Sequence, residues 1–157
     1  MIADGGNYSK GDGSNIGVVE LWNASTGRLI TTMATSATDV YTIAFSSDSK
    51  SLAVGGVKNF FTTGVLELFN VSSGALTKSF PTAATAVNSV AFSPDGATLA
   101  DGGNLTNQST QLSTGVLELW GLSKDSLLAT LNSGLHHINS VAFSPNGKTL
   151  AAGGISD

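Results

Sequence analysis

Three segments of this chain, residues 17–56, 64–103 and 115–154, align with one another without a gap. They open on GVVELW, GVLELF and GVLELW, and each passes a leucine at Leu29, Leu76 or Leu127. They then run through YTIAFSSDS, NSVAFSPDG and NSVAFSPNG and close on LAVGG, LADGG and LAAGG. Self-similarity at a fixed period constrains the fold more than any local propensity. Each repeat is one supersecondary unit that cannot bury its apolar surface alone and must stack on the next. The starts are spaced by roughly 50 residues, long enough for a unit of four short strands.

Each unit reads as those four strands. In the first they cover about residues 17–23, 28–33, 40–46 and 51–55, runs rich in Val, Leu, Phe and Thr between turn residues. Gly27 and Gly74 mark a tight turn between the first two strands of their units. Ser93-Pro94-Asp95-Gly96 and Ser144-Pro145-Asn146-Gly147 are strong turn sequences, in which Pro presets φ, Asp or Asn bonds nearby backbone and Gly relieves strain. The first unit has Ser47-Asp48-Ser49-Lys50 there, a turn expected to form less rigidly.

Composition agrees with a strand fold. Of 157 residues, 41% are hydrophobic and only 11% charged, which leaves little to clothe the wet faces of long helices. The same low charge with ample Val, Leu, Phe and Ala argues against disorder. A net charge of −4 with seven Lys and Arg gives no basic stripe, so nucleic acid is not an expected partner. Zero cysteines remove disulfides, thiolate metal sites and cysteine nucleophiles. The apolar runs fall well short of the ~18 residues of a spanning helix, so no membrane insertion is expected. Met1 falls inside a repeat, and the compartment is left undetermined.

The run VNSVAFSPDGATLA, followed by a GVLELW strand and a short leucine-bearing strand, resembles the WD-repeat β-propellers over essentially the whole chain. The resemblance implies that the YTIAF-type strand is the innermost strand a of a blade, the next b, the GVxEL strand c and the leucine-bearing strand d. There are departures. The Trp-Asp pair becomes Trp22-Asn23, Phe69-Asn70 and Trp120-Gly121, and the Gly-His pair ahead of strand a becomes Thr35-Ser36, Thr82-Ala83 and Ser133-Gly134. The family's buried His–Asp–Trp hydrogen-bond network is therefore expected to be absent, with apolar packing holding the blades together. The tight b–c turn is stretched into long loops at 7–16, 57–63 and 104–114.

Residues 1–6 align with residues 98–103, so the chain opens on a strand b and closes after another. The expected fold is all-β: a propeller segment of about three four-stranded antiparallel blades plus an extra strand, in the order b-c-d / a-b-c-d / a-b-c-d / a-b. Residues 1–157 form a single such segment. Because a ring needs at least about four blades, the chain is expected to be part of a larger propeller or to associate with further copies through its terminal blades. Two copies arranged head to tail would make about six blades.

Candidate chemistry is sparse. Glu20, Glu67 and Glu118 share one register on strand c, and a solvated or locally paired role is expected for them. Asp4 and Asp101 precede Gly-Gly steps, but the other copies have Val54 and Ala152, so no metal ring is expected. His136 and His137 are adjacent ahead of strand a; on an extended segment they point to opposite sides and make no two-ligand clamp. Lys58, Asn59, Phe60 and Phe61 place two aromatics in a b–c loop, either as a contact hot spot or as a satellite core. These four, with Tyr8, His136 and His137, are the candidate partner-binding residues. No catalytic, cofactor or metal residue is assigned. The residues that start strand a, Val40-Tyr41, Val87-Asn88 and Ile138-Asn139, are poor ligands and poor bases.

By the resemblance, b–c and d–a loops emerge on one face, usually the partner-binding face. The expected function is a non-catalytic protein-interaction or scaffold module without a cofactor. The alternatives are a propeller hydrolase, lactonase or lyase whose site lies in further blades, and a glycan-binding propeller.

Overall fold

The computed structural model describes residues 1–11, 13–58 and 62–156. Among them every regular element is a strand, and the strands make four antiparallel sheets in chain order. The first sheet holds β1 (Ile2–Ser9), β2 (Asn15–Trp22) and β3 (Leu29–Ala34). The second holds β4 (Asp39–Phe45), β5 (Ser51–Lys58), β6 (Thr63–Asn70) and β7 (Leu76–Ser79). The third holds β8 (Ala86–Phe92), β9 (Thr98–Thr106), β10 (Ser113–Gly121) and β11 (Ser126–Leu131). The fourth is the pair β12 (His137–Phe143) and β13 (Leu150–Ile155). This is the expected order b-c-d / a-b-c-d / a-b-c-d / a-b.

The repeat extends to irregularities of register. Strand a bulges between Val40 and Thr42, Val87 and Ser89, and Ile138 and Ser140. Strand c shifts register at Trp22, Phe69 and Trp120. The turns repeat as well. Ser93 Oγ donates to Asp95 Oδ1 at 2.6 Å and accepts from Thr98 N at 2.9 Å, and Ser144 and Ser46 do the same in their units. In the first of these turns, Ser49 takes φ +59° where Gly96 and Gly147 hold +70° and +69°. Ser49 bears the left-handed strain that glycine avoids.

The stretches read from sequence as loops at 7–16, 57–63 and 104–114 are partly strand. The b–c pairing runs on to Ser9↔Asn15, Lys58↔Thr63 and Thr106↔Ser113. Their polarity marks a face turned to water, not the end of a ladder whose bonds are made by backbone.

Each core lies between consecutive sheets. Val19, Leu21 and Met33 meet Val40, Leu52, Val54 and Phe69; Ala53 and Leu66 meet Val87, Val90, Leu99 and Trp120; Ala100 and Leu117 meet Ile138 and Val141. The Gly-Gly steps make this approach possible. A Cβ on Gly55 would lie 2.6 Å from Val87 Cγ1, and one on Gly102 2.6 Å from both Ile138 Cγ2 and Val141 Cγ1. The second glycines, Gly56 and Gly103, lie against the carbonyls of Asp39 and Ala86 at the strand-a bulges. Hydrogen bonds also cross between sheets: Val90 N donates to Thr42 Oγ1 at 3.2 Å and Val141 N to Ser89 Oγ at 3.0 Å.

Candidate binding face

The innermost strands of three sheets place Tyr41, Asn88 and Asn139 at one register, just after the first residue of each bulge. Together with His137 at the start of β12 and Asn104, Thr106, Gln108 and Gln111 from the β9–β10 hairpin, they line a cavity of about 520 Å³. None of its lining residues is an acid, a lysine or an arginine. The wall is a set of amides, one phenol, one imidazole and one hydroxyl, able to donate and accept hydrogen bonds without selecting a charge.

The wall is braced from behind. Thr85 Oγ1 donates to Asn104 O at 2.9 Å and accepts from Thr106 N at 3.1 Å. Asn104 Nδ2 donates to Thr106 Oγ1 at 2.9 Å, and Asn88 Nδ2 reaches Ile138 O on the next sheet at 3.0 Å. The turn that carries Gln108 and Gln111 is closed by Asn107 Oδ1, which accepts from Ser109 N and Thr110 N. Tyr41 is 44% exposed, and partial burial, followed by the nearby Asp39 carboxylate, raises its phenol above the ordinary tyrosine range. The Asn7 amide donates to Asp39, tying the first hairpin to the second sheet.

The sequence candidates are not gathered into one site. His137 lines the cavity, whereas His136 sits just before β12 with its backbone N–H on Ile155 O at 2.7 Å. Tyr8 stands 63% exposed on β1, outside the cavity lining. Lys58, at the end of β5, borders a separate cleft of about 80 Å³ with Ser36, Glu67 and Phe80. Asn59, Phe60 and Phe61 lie outside the described residues. Tyr41, Asn88 and Asn139 are poor metal ligands and poor bases by their chemistry, yet all three are hydrogen-bonding side chains. Their shared register in the repeat was the signal that they face one space.

Two expectations about the carboxylates hold in part. Glu67 and Glu118 are each 2% exposed, so they are not solvated; they are locally bonded. Thr35 Oγ1 donates to Glu67 Oε2 at 2.6 Å, and Ser36 N lies 3.3 Å from the same group. In the third sheet Thr82 Oγ1 lies 2.8 Å from Glu118 Oε2 and 2.9 Å from Asp101 Oδ2. Trp120 Nε1 donates to Asp101 Oδ1 at 2.7 Å, and Phe80 packs on the Trp120 ring at 5.3 Å between centroids. A buried acid–tryptophan network is thus present without the family's histidine, whose place Ala83 takes, and with the Thr82 hydroxyl as its hub. In the second sheet Val54 and Phe69 occupy the Asp101 and Trp120 positions, and there the expected apolar packing holds. Burial drives the Asp101 carboxyl up to about 7, resisted by the Trp120 bond and reinforced by Glu118.

Among the described residues no three His, Cys, Asp or Glu side chains converge as a metal site would require, and no helix is long and apolar enough to cross a membrane. The family model for the WD domain, G-beta repeat, matches residues 74–106 and 126–157. Each of these spans runs from a strand d through the following strands a and b. No curated protein matches the chain.

Proposed function

Starting from what the chain is, a segment of a WD-repeat β-propeller, we propose that it acts as a non-catalytic protein-interaction module that receives its partner on the face bearing the b–c and d–a loops. One observation carries this reading: three consecutive blades contribute uncharged polar side chains to one open cavity on that face. Such a wall suits a partner segment recognised through its own amides and hydroxyls, because each amide presents a donor and an acceptor side by side. General-base chemistry would need a carboxylate or imidazole set against a nucleophile; the cavity lining holds one imidazole, His137, and no carboxylate. Tyr8, Lys58 and His136 are proposed as further partner contacts outside the cavity lining, Asn59, Phe60 and Phe61 are kept as candidates on their sequence alone, and residues 1–157 are taken to act as one unit.

The test couples cross-linking to variants. Tyr41→Ala and Asn139→Ala change exposed cavity residues. A protein captured by the wild-type chain and lost by the double variant at unchanged Tm supports the reading. Undiminished capture by that variant refutes the cavity as the binding surface.

The same reading gives the terminal blades a second role, pairing with another copy of the chain. Ile2, Leu29 and Ile30 are exposed on the first blade and Ile155 on the fourth. Light scattering decides: a discrete species near twice 15.9 kDa supports pairing, and a monomer at all concentrations refutes it.

A further inference from the structure

We propose that Asp101 is a neutral carboxylic acid in the folded chain, and that its proton locks the loop leading into the third blade, so that losing the proton releases that loop. The argument is a count of protons. Thr82 Oγ1 sits within 2.9 Å of Asp101 Oδ2 and 2.8 Å of Glu118 Oε2, yet a hydroxyl carries one proton. Two ionised carboxylates on that hydroxyl would leave one contact as lone pair against lone pair in a dry interior. Glu118 Oε2 also accepts from Ala83 N at 3.1 Å, so the Thr82 proton and the loop amide both serve Glu118. Asp101 Oδ2 then supplies the missing proton to Thr82 Oγ1. The hydroxyl donates to Glu118 and accepts from Asp101 and from Ala84 N at 3.2 Å, which uses its whole capacity.

The surroundings favour the neutral acid. Asp101 is fully buried, and its other oxygen is held by Trp120 Nε1. Of the elements packed against β9, β8 has no titratable side chain, β10 carries Glu118 and β12 carries His137; loop residues 80–85 have none. Burial without a cationic partner disfavours the carboxylate, in keeping with a carboxyl pushed up to about 7.

The second blade is an internal control. Thr35 Oγ1 donates to Glu67 Oε2 and Ser36 N approaches the same carboxylate, but Val54 replaces the second acid. One hydroxyl meets one carboxylate, and no extra proton is required. The two loops are otherwise built alike, since Ala37 N and Ala84 N each lie 3.2 Å from the threonine oxygen. Thr85, three residues beyond Thr82, braces the cavity wall through Asn104 and Thr106. That the lock also tunes binding rests on the function proposed above; the lock itself does not.

The carboxyl titrates near 3.8 when unfolded and near 7 when folded. Its contribution to stability is therefore complete below about pH 4, declines up to about pH 7 and is gone above it. Hydrogen exchange at single amides tests the lock in the wild-type chain. From about pH 5.5 to about pH 8.5, corrected for intrinsic rates, protection of the Ala83 amide is expected to fall about tenfold or more while Ser36 holds steady. Asp101→Asn supplies the second arm, because its amide donates to Thr82 and accepts from Trp120 whatever the pH. Wild-type Tm is expected to fall by roughly 5 °C or more over that range, and the variant is expected to lose most of this fall. His136 and His137 are common to both proteins and cancel in the difference. Parallel behaviour of Ala83 and Ser36, or an unchanged pH slope in the variant, overturns the proposal.

Discussion

A methyl group placed between the third and fourth blades tests how the sheets are held together. Gly102 faces Ile138 and Val141, and a Cβ there would lie 2.6 Å from a methyl carbon of each. Carbon atoms rest at about 3.5–4.0 Å, so Gly102→Ala asks two side chains to retreat by roughly 1 Å. Both are β-branched and stiff at χ1, and they are 0% and 6% exposed. Overpacking of this kind costs about 1–3 kcal/mol, and two stiff neighbours place it in the upper half of that range. Alanine recovers some of this by restricting the unfolded chain, about 0.5 kcal/mol. The net loss is then about 2 kcal/mol, or a Tm lowered by roughly 4–8 °C for a chain of this size. Gly153 is the matching glycine of the fourth blade, and nothing lies within 4 Å of a Cβ there. Gly153→Ala is therefore expected to be neutral or to gain about 0.5 kcal/mol. Urea unfolding followed by far-UV circular dichroism measures both. Equal stabilities for the two variants would refute the claim that the first glycine of each step exists to admit the next blade.

Trp120→Phe strands an acceptor on Asp101 and Asp101→Val strands the Trp120 N–H, so each is expected to cost about 1–3 kcal/mol. The double variant reproduces the Val54–Phe69 pair of the second blade and should return to within about 1 kcal/mol of wild type, giving a strongly non-additive cycle in urea unfolding. Ser89→Ala removes the acceptor for Val141 N–H and should cost about 1–2 kcal/mol, with faster exchange at the Val141 amide. Lys78→Ala breaks the exposed pair with Asp125 and should shift stability by less than about 0.5 kcal/mol.

Strand order and the spacing of the Gly-Gly steps were legible because a threefold internal alignment filters out local noise, whereas the strand-a bulges repeat in every unit without a turn or proline signal to announce them. Strand ends were less legible. Residues such as Tyr8, Thr63 and Ser113 are polar yet sit in paired strands, since hydropathy marks burial and not backbone bonding. Of the two roles expected for the glutamates, local pairing is the one that two of them take, for a reason of a different kind. In GVLELF and GVLELW, apolar residues fill both faces of strand c, as in a strand covered on both sides. Glu67 and Glu118 therefore had no wet side to turn to, and that signal was in the sequence. The Thr82 hub was not. A threonine two residues after a phenylalanine carries no mark of a hydroxyl shared by two acids; only the folding of the loop onto β9 and β10 creates it. The same holds for the cavity, whose lining residues come from parts of the chain nearly a hundred positions apart.

The second and third blades share about half their residues but are cemented differently, one by Val54 and Phe69, the other by Asp101 and Trp120. That difference tells the strands of the second blade from those of the third. Chains of similar repeats run the risk, while folding, that a strand inserts into a neighbour's sheet. Were β9 to take the place of β5, Asp101 would be buried opposite Glu67 beside a phenylalanine with nothing to donate. Were β5 to take the place of β9, the Trp120 N–H would face a valine. Either exchange buries a polar group without its partner, a penalty of kcal/mol order that the correct assembly never incurs. The unequal pair thus lets a nearly periodic sequence keep two neighbouring repeats from trading strands.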